Sequence, residues 1–318
     1  MSKKSQAKNK ARHVPASAQP KGLKPAARDA QGRVHLVFHR DSAGGNEQLL
    51  LSGPIFKEPW QNEVAAAAAN TACDVLQGEP DFARTVALAR NAMAATSRLA
   101  EGLLARAPAG AVACKAGCDH CCYQSVGVTP PEALAIFDHL RKTLLPSELD
   151  SISAHIAVRD EQTRALSASE RFSPDHPCPF LQVELGRCSI YEVRPLSCRG
   201  MNSLDAGDCE TRLRDPAARA AFLSEGRGGR SFMEPIRAFH AVSAGLQVGV
   251  ADLYQLDMRP LELTAALHVL LSAPETAPAV WLSGQTPFEA ALRSDSATDA
   301  GLREVSGALG FPGKPPAP

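Results

Sequence analysis

Eight of the nine cysteines of this 318-residue chain lie close together in the sequence, and their spacing is the feature most able to support chemistry. They are Cys114, Cys118, Cys121, Cys122, Cys178, Cys188, Cys198 and Cys209. Where thiols stay reduced, such spacing is typical of metal ligands rather than of a disulfide framework. The sequence therefore predicts a multi-cysteine site that holds zinc or an iron–sulfur cluster.

The N-terminal region indicates where in the cell the protein resides and whether it enters a membrane. Met1 to Arg12 is Lys-rich and no apolar run follows it, so no secretory signal is readable. The chain also lacks a run of about 18 apolar residues that would span a bilayer. We therefore expect a cytoplasmic protein that does not enter a membrane.

The same region is strongly basic although the whole chain has a formal charge of zero. Residues 1–40 carry ten Lys or Arg and one acid, Asp29, so their net charge is strongly positive. Because the whole chain is neutral, the other residues carry a net negative charge of the same size. Such a tail is typical of a disordered, solubilising arm. Because no recognition module accompanies the charge, nucleic-acid binding is not expected, and an unknown protein partner stays open.

Adjacent Cys121 and Cys122 are difficult to bring to one ion. Neighbouring side chains point to opposite faces of a strand and diverge by about 100° on a helix. We expect one of them to join Cys114 and Cys118, while the other reaches a second site or remains a reactive thiol. Eight sulfurs suffice for two four-ligand sites or for one cubane cluster with spare thiols, and the spacing leaves both open.

Residues beside the cysteines also suit a metal site. Four thiolates around Zn²⁺ leave a net negative charge, which Arg194 and Arg199 would offset while donating hydrogen bonds to sulfur. His120 and His176 each lie within two residues of a cysteine and are candidate substitute ligands. Cys73 is remote from the other eight and is expected to be a small core residue.

Hydrophobic periodicity predicts helices on both sides of the cysteines and a short hairpin between them. The predicted helices are residues 63–76, 81–106, 129–140, 216–224, 234–253 and 260–271, the hairpin turns at Gly186, and short strands are expected at residues 34–38 and 48–51. The fold class is thus mainly α with a small β-hairpin, and a cysteine-rich metal-binding module is clamped between flanking helices.

We divide the chain into a basic, largely disordered tail and linker (1–56), an N-terminal helical segment (57–109), the cysteine-cluster module (110–215), a C-terminal helical segment (216–290) and a flexible tail (291–318).

Residues 110–210 resemble the YkgJ-type cysteine-cluster family, which is described as a zinc- or iron-chelating domain. The resemblance rests on the Cys-x3-Cys-x2-Cys-Cys pattern that begins at Cys114 and on the blocks Cys178–Leu181, Gly186–Tyr191 and Arg194–Arg199. It implies that the matching cysteines are the metal or cluster ligands, with Cys209 as a weaker match. It implies little about a reaction.

A related cysteine-rich block is similar to part of the flagellin lysine methylases, which implies an S-adenosylmethionine-linked, protein-modifying enzyme as an alternative. The spacing from Cys114 through Cys118 to Cys121 also matches the cluster triad of radical S-adenosylmethionine enzymes. Those enzymes need a β/α barrel, whereas this sequence lacks repeated strand–helix alternation and has His120 where an aromatic residue is expected.

Three function classes therefore remain after the sequence alone. They are a metal or iron–sulfur protein with a structural or redox role, a protein-modifying methyltransferase, and a zinc-stabilised module that binds a partner. We favour the first, and within it an iron–sulfur cluster over zinc. Zinc prefers paired CxxC knuckles, of which residues 118–121 are the sole example, whereas clusters tolerate irregular spacing.

Overall fold

The structure is a computed structural model that describes residues 56–76, 78–225, 229–254 and 256–292. The predicted strands at 34–38 and 48–51, the basic tail and residues 293–318 lie outside this part of the chain. The described residues form helices α1 (Pro59–Val75), α2 (Phe82–Leu104), α3 (Pro130–Thr143), α4 (Pro146–Thr163), α5 (Ala168–Arg171), α6 (Leu196–Gly200), α7 (Ala206–Arg214), α8 (Pro216–Glu225), α9 (Met233–Tyr254), α10 (Leu263–Ser272) and α11 (Thr276–Leu282). The strands are β1 (Gly127–Val128), β2 (Leu181–Gln182), β3 (Arg187–Cys188) and β4 (Leu261–Glu262). The predicted mainly α fold is confirmed.

Two helices begin at the caps that the sequence predicts. The carboxylate of Asp81 accepts a hydrogen bond from the Arg84 backbone N–H (2.8 Å) at the start of α2. Thr129 and Glu132 form a reciprocal capping box at the start of α3. Side-chain acceptors here satisfy backbone donors that a helix leaves unpaired in its first turn, so both helices start at defined residues.

The N-terminal and C-terminal helical segments pack directly on each other through α1 and α9. Glycines make this close approach possible, because a Cβ at Gly245 would overlap the backbone of Ala65 and one at Gly249 would overlap the Cβ of Ala72. Helix α2 also packs against α9. Helices α1, α2 and α9 thus form one helical layer.

The cysteine segment is held against this layer from several sides. The short helix α6 packs on both α2 and α9, while α10 packs on α3 and α4. Strand β1 pairs antiparallel with β4, with Gly127 opposite Glu262. The predicted clamp is therefore present, although the boundaries at residues 110 and 215 stay a prediction.

The hydrophobic core runs between these helices and reaches the edge of the cysteine segment. Its largest buried side chains include Trp281, Phe137 and Phe180, the last of which follows Cys178 by two residues. Within the described residues, no helix combines the length and hydropathy that a membrane crossing requires.

Candidate metal centre

The first cysteine loop is anchored to a distant backbone segment. The Ala113 backbone N–H donates to the Ser203 carbonyl (2.8 Å), and the Ser203 N–H donates to the Cys114 sulfur (3.2 Å). Gly117 has a φ of 85°, which favours glycine, and the Cys118 N–H returns to the Lys115 carbonyl (3.0 Å). This tight turn keeps Cys118 close enough to Cys114 to act on its charge, while Ser203 holds the Cys114 sulfur.

Cys209 joins these two thiols through α7. The Asp205 carboxylate caps α7 by accepting from the Asp208 N–H (3.0 Å), which sets Cys209 near the helix start. Helix α7 packs against the 3-10 helix His120–Tyr123, and the Arg212 Nη2 donates to the Cys209 sulfur (3.4 Å). Cys114, Cys118 and Cys209 are called the outer thiols.

The hairpin brings a second set of cysteines to the first loop. Cys188 pairs with Leu181 across β2 and β3, and the Cys178 N–H donates to the Cys122 carbonyl (2.7 Å). Gly186 forms the turn with a φ of 58°, as predicted, and a Cβ there would lie 2.5 Å from the Gly117 carbonyl oxygen. The turn of the hairpin therefore rests directly on the first loop.

Cys198 is positioned by α6, which begins on a buried carboxylate. The Leu196 N–H donates to Glu132 Oε1 (2.8 Å), and the Ser197 hydroxyl donates to the Gly127 carbonyl (3.2 Å). Cys178, Cys188 and Cys198 are called the inner thiols. Both Cys178 and Cys188 pack against the hydrophobic core.

Burial dominates the acid–base properties of these thiols. It raises the pKa of Cys178 and of Cys198 to about 12, and it also raises the pKa of Cys114, Cys118 and Cys188. Among the further causes, Cys121 and Cys209 raise the pKa of Cys114 and Cys118, whereas Cys188 raises the pKa of Cys178 and Cys198. The thiols therefore hold their protons at neutral pH until a cation stabilises the thiolate.

The Cys121–Cys122 pair lies between the two sets. A hydrogen bond with the Cys122 thiol is the main cause that raises the pKa of Cys121 well above its ordinary value, although Cys121 as a residue is exposed. Cys121 in turn raises the pKa of Cys114, Cys118, Cys188 and Cys198. The sequence predicts that the two side chains diverge, whereas here the Cys122 thiol lies within hydrogen-bonding reach of Cys121.

Arg194 and Arg199 occupy different roles beside the inner thiols. The Arg194 guanidinium stacks on the Tyr191 ring at 4.1 Å and helps to lower the pKa of Cys121, Cys188 and Cys198, yet its buried Nε–H has no hydrogen-bond partner. Arg199 donates to the backbone carbonyls of Arg194 (2.8 Å) and Glu192 (2.6 Å) and to the Ser97 hydroxyl (2.6 Å). Arg199 thus fixes the backbone of the loop from Glu192 to Arg194, and Arg194 keeps an unused N–H donor.

The candidate histidine ligands have other neighbours. His120 Nδ1 lies 3.8 Å from an Asp119 carboxylate oxygen. His176 Nδ1 lies 3.4 Å from Arg159 Nη1, and burial together with nearby arginines lowers the pKa of His176. Their ligation stays a prediction. Cys73 lies in α1, and its side chain is outside the described part of the structure.

Sequence reasoning missed four residues that organise the site. Ser203, Glu132 and Arg212 act through the contacts given above, and Arg171 donates to the carbonyls of Tyr123 (2.9 Å) and His176. The contacts of Glu132, Arg171 and Ser203 with Leu196, Tyr123 and Cys114 join residues at least 48 positions apart, so no local spacing signal identifies them. Arg212 differs, because it reaches Cys209 and Asp208 within its own helix.

In the described residues, no three His, Cys, Asp or Glu side chains are arranged as a ready-made ion site. The donor set nevertheless fits a thiophilic metal, because all eight described cysteines are free and the charge of Arg194, whose buried Nε–H has no partner, acts on Cys188 and Cys198. Ligation by the eight cysteines, in one centre or in two, stays a prediction.

Comparison with known proteins identifies the cysteine segment. Residues 113–215, about a third of the chain, match a family model described as "CxxCxxCC: Putative zinc- or iron-chelating domain". This is the cysteine-cluster family that the sequence resembles, and the match includes all eight cysteines. No curated protein and no solved structure matches the chain. The match supports a metal-binding role for this segment.

Proposed function

We propose that residues 113–215 hold an iron–sulfur cluster through cysteine thiolates, with a structural or redox role. The observation that carries the proposal is the buried Nε–H of Arg194, which has no hydrogen-bond partner although the charge of this guanidinium acts on Cys121, Cys188 and Cys198. A thiolate-bound cluster carries negative charge and accepts hydrogen bonds at sulfur, and these bonds tune its potential. Arg194 would supply both the compensating charge and the donor.

Zinc is the alternative occupant, and it would use the same sulfurs. The family description includes both zinc and iron. The irregular intervals between the cysteines favour the cluster, because structural zinc sites usually combine closely paired ligands.

The protein's own contribution is to position and desolvate the sulfurs. Arg199 fixes the loop before α6, and the hairpin holds Cys188 beside the core. Because the buried thiols are protonated in the absence of a metal, metal binding to these cysteines would release protons. Free thiols persist in a reducing environment, so the proposal places the protein in the cytoplasm.

The test is metal and acid-labile sulfide analysis of the full chain purified without oxygen. We expect iron and sulfide in similar amounts, together with visible absorbance from sulfur-to-iron charge transfer. A colourless protein that holds stoichiometric zinc, and stays colourless after anaerobic reconstitution with iron and sulfide, would show that the cysteines bind zinc and not a cluster. Protein that binds neither metal would contradict the proposed function itself.

A further inference from the structure

We propose that the cleft between α3, α4 and the residues that flank the hairpin binds a small uncharged molecule with a compact apolar body and a hydroxyl or carbonyl group. The cleft has a volume of about 380 Å³, which is within the size range of small-molecule sites in proteins. None of the eight described cysteines lines it. Its ligand is therefore separate from the metal centre and does not depend on which metal the cysteines hold.

The cleft exists because two helices share a neighbour but lie apart from each other. Helix α10 packs on both α3 and α4, whereas α3 and α4 have few close contacts with each other. The turn between them is short, since α3 ends at Thr143 and α4 begins at Pro146. The third wall is the base of the hairpin, where the Ser189 N–H donates to the Phe180 carbonyl (2.8 Å). The 3-10 helix Tyr191–Val193 packs on α3 and holds this wall in place.

The floor of the cleft is apolar and is part of the hydrophobic core. Leu140, Phe180 and Ile190 are each at most 3% exposed and belong to this core. Leu144 and Ile152 are partly buried and pack against the core beside them. Because these side chains are already packed, they present a fixed apolar surface. A ligand with an apolar body would leave water there without a rearrangement of the protein.

Polar side chains surround this floor, and they have no hydrogen-bond partner among the residues that the structure describes. They are Ser147, Ser151 and His155 on α4, His139 on α3 and Ser189 beside the hairpin. Burial lowers the pKa of His139 and of His155, and the charges of Arg90 and Arg159, respectively, lower these pKa values further. Both imidazoles are therefore neutral at neutral pH, and each offers one N–H donor and one nitrogen acceptor.

The charges around the cleft disfavour an ionic ligand. Of the lining residues, all of which the structure describes, only Glu148 is ionised at neutral pH, and its carboxylate already accepts from the Leu145 N–H (2.8 Å). An anion would be repelled by this carboxylate, and a cation by Arg90 and Arg159, whose charges act on the two histidines. An ionic group would thus lose its water shell without gaining a free partner of opposite charge. A hydroxyl or carbonyl group can instead exchange water for the imidazoles and serine hydroxyls.

The test measures binding of 2-naphthol, the 2-naphthoate anion and the 2-naphthylmethylammonium cation to the full chain by equilibrium dialysis at neutral pH. We expect saturable binding of 2-naphthol, with a dissociation constant at least about tenfold lower than for either ion. Ser151→Trp fills the cleft from an exposed position on α4, and we expect it to weaken 2-naphthol binding at least about tenfold. The matched control is Ala154→Trp, at an exposed position of the same helix that does not line the cleft, and we expect wild-type binding.

A double variant, His139→Phe with His155→Phe, keeps an aromatic ring at both positions and removes the ring nitrogens. We expect about fivefold weaker binding of 2-naphthol and unchanged binding of naphthalene. Equal 2-naphthol binding by the wild type and by the Ser151 variant would overturn the site, as would a folded wild-type chain that binds none of the probes. Tighter binding of either ion would overturn the uncharged class of ligand. Equal losses for naphthalene and 2-naphthol in the double variant would overturn the assignment of the imidazoles as hydrogen-bonding groups.

Discussion

Replacing Cys198 by serine is expected to remove most of the bound metal and to lower the melting temperature of the metal-loaded protein by roughly 10 °C or more. Cys198 lies on α6, which packs on α2 and α9, and its pKa of about 12 shows how strongly burial opposes an uncompensated thiolate. A serine hydroxyl is a poor ligand for a thiophilic metal. Because metal binding occurs only in the folded state, its free energy adds to that of folding. Metal analysis and thermal unfolding measure both effects.

The matched control is the same exchange at Cys73, in α1 and outside the segment that matches the cysteine-cluster family. We expect Cys73→Ser to keep the metal content of the wild type. Equal metal content in the Cys198 and Cys73 variants would remove Cys198 from the ligand set. A melting temperature that falls in the Cys198 variant even after metal removal would show that packing, and not ligation, causes the loss.

Replacing Glu132 by alanine is expected to destabilise the protein by about 3 kcal/mol. Glu132 is only 2% exposed, and its carboxylate accepts from the Thr129 N–H, the Thr129 hydroxyl and the Leu196 N–H. Removing the acceptor leaves these buried donors without a partner. Leu196 begins α6 two residues before Cys198, so we also expect weaker metal retention. Urea unfolding and metal release to a chelator test the two effects.

Glu148 provides the control because it has the same helix position at an exposed site. Its carboxylate accepts from the Leu145 N–H (2.8 Å) at the start of α4, where solvent replaces the lost bond. We expect Glu148→Ala to cost less than about 1 kcal/mol and to leave metal retention unchanged. Similar losses in the two variants would mean that Glu132 acts as an ordinary cap and does not position α6.

Much of the framework of the site follows from local sequence. Asp81 and Thr129 are residues with short polar side chains before helical patterns, and both cap helices. Gly186 lies between two short extended runs, and it forms the left-handed turn that this pattern predicts. These features depend on neighbouring residues, so a single sequence suffices to predict them.

Other parts of the fold depend on contacts that the sequence does not display. Helix α4 lies inside the cysteine segment but was not predicted, because its mixed polar and charged surface gives weak hydrophobic periodicity. Strands β1 and β4 are two residues long, and they pair although most of the described helices lie between them in the sequence. The contact between α7 and the 3-10 helix His120–Tyr123, which brings Cys209 to the first loop, likewise joins segments that are distant in the sequence. The division into outer and inner thiols could therefore not be predicted from spacing.

The most direct measurement of the central claim is site-resolved thiol alkylation, followed by mass spectrometry, of the metal-loaded chain and of the same chain after metal removal. If cysteines of residues 113–215 hold the metal, removal will sharply accelerate alkylation at Cys114, Cys118, Cys121, Cys122, Cys178, Cys188, Cys198 and Cys209, and Cys73 will not change. Unchanged alkylation at these eight positions, in protein that demonstrably carried metal, would show that the metal binds elsewhere and would contradict the account.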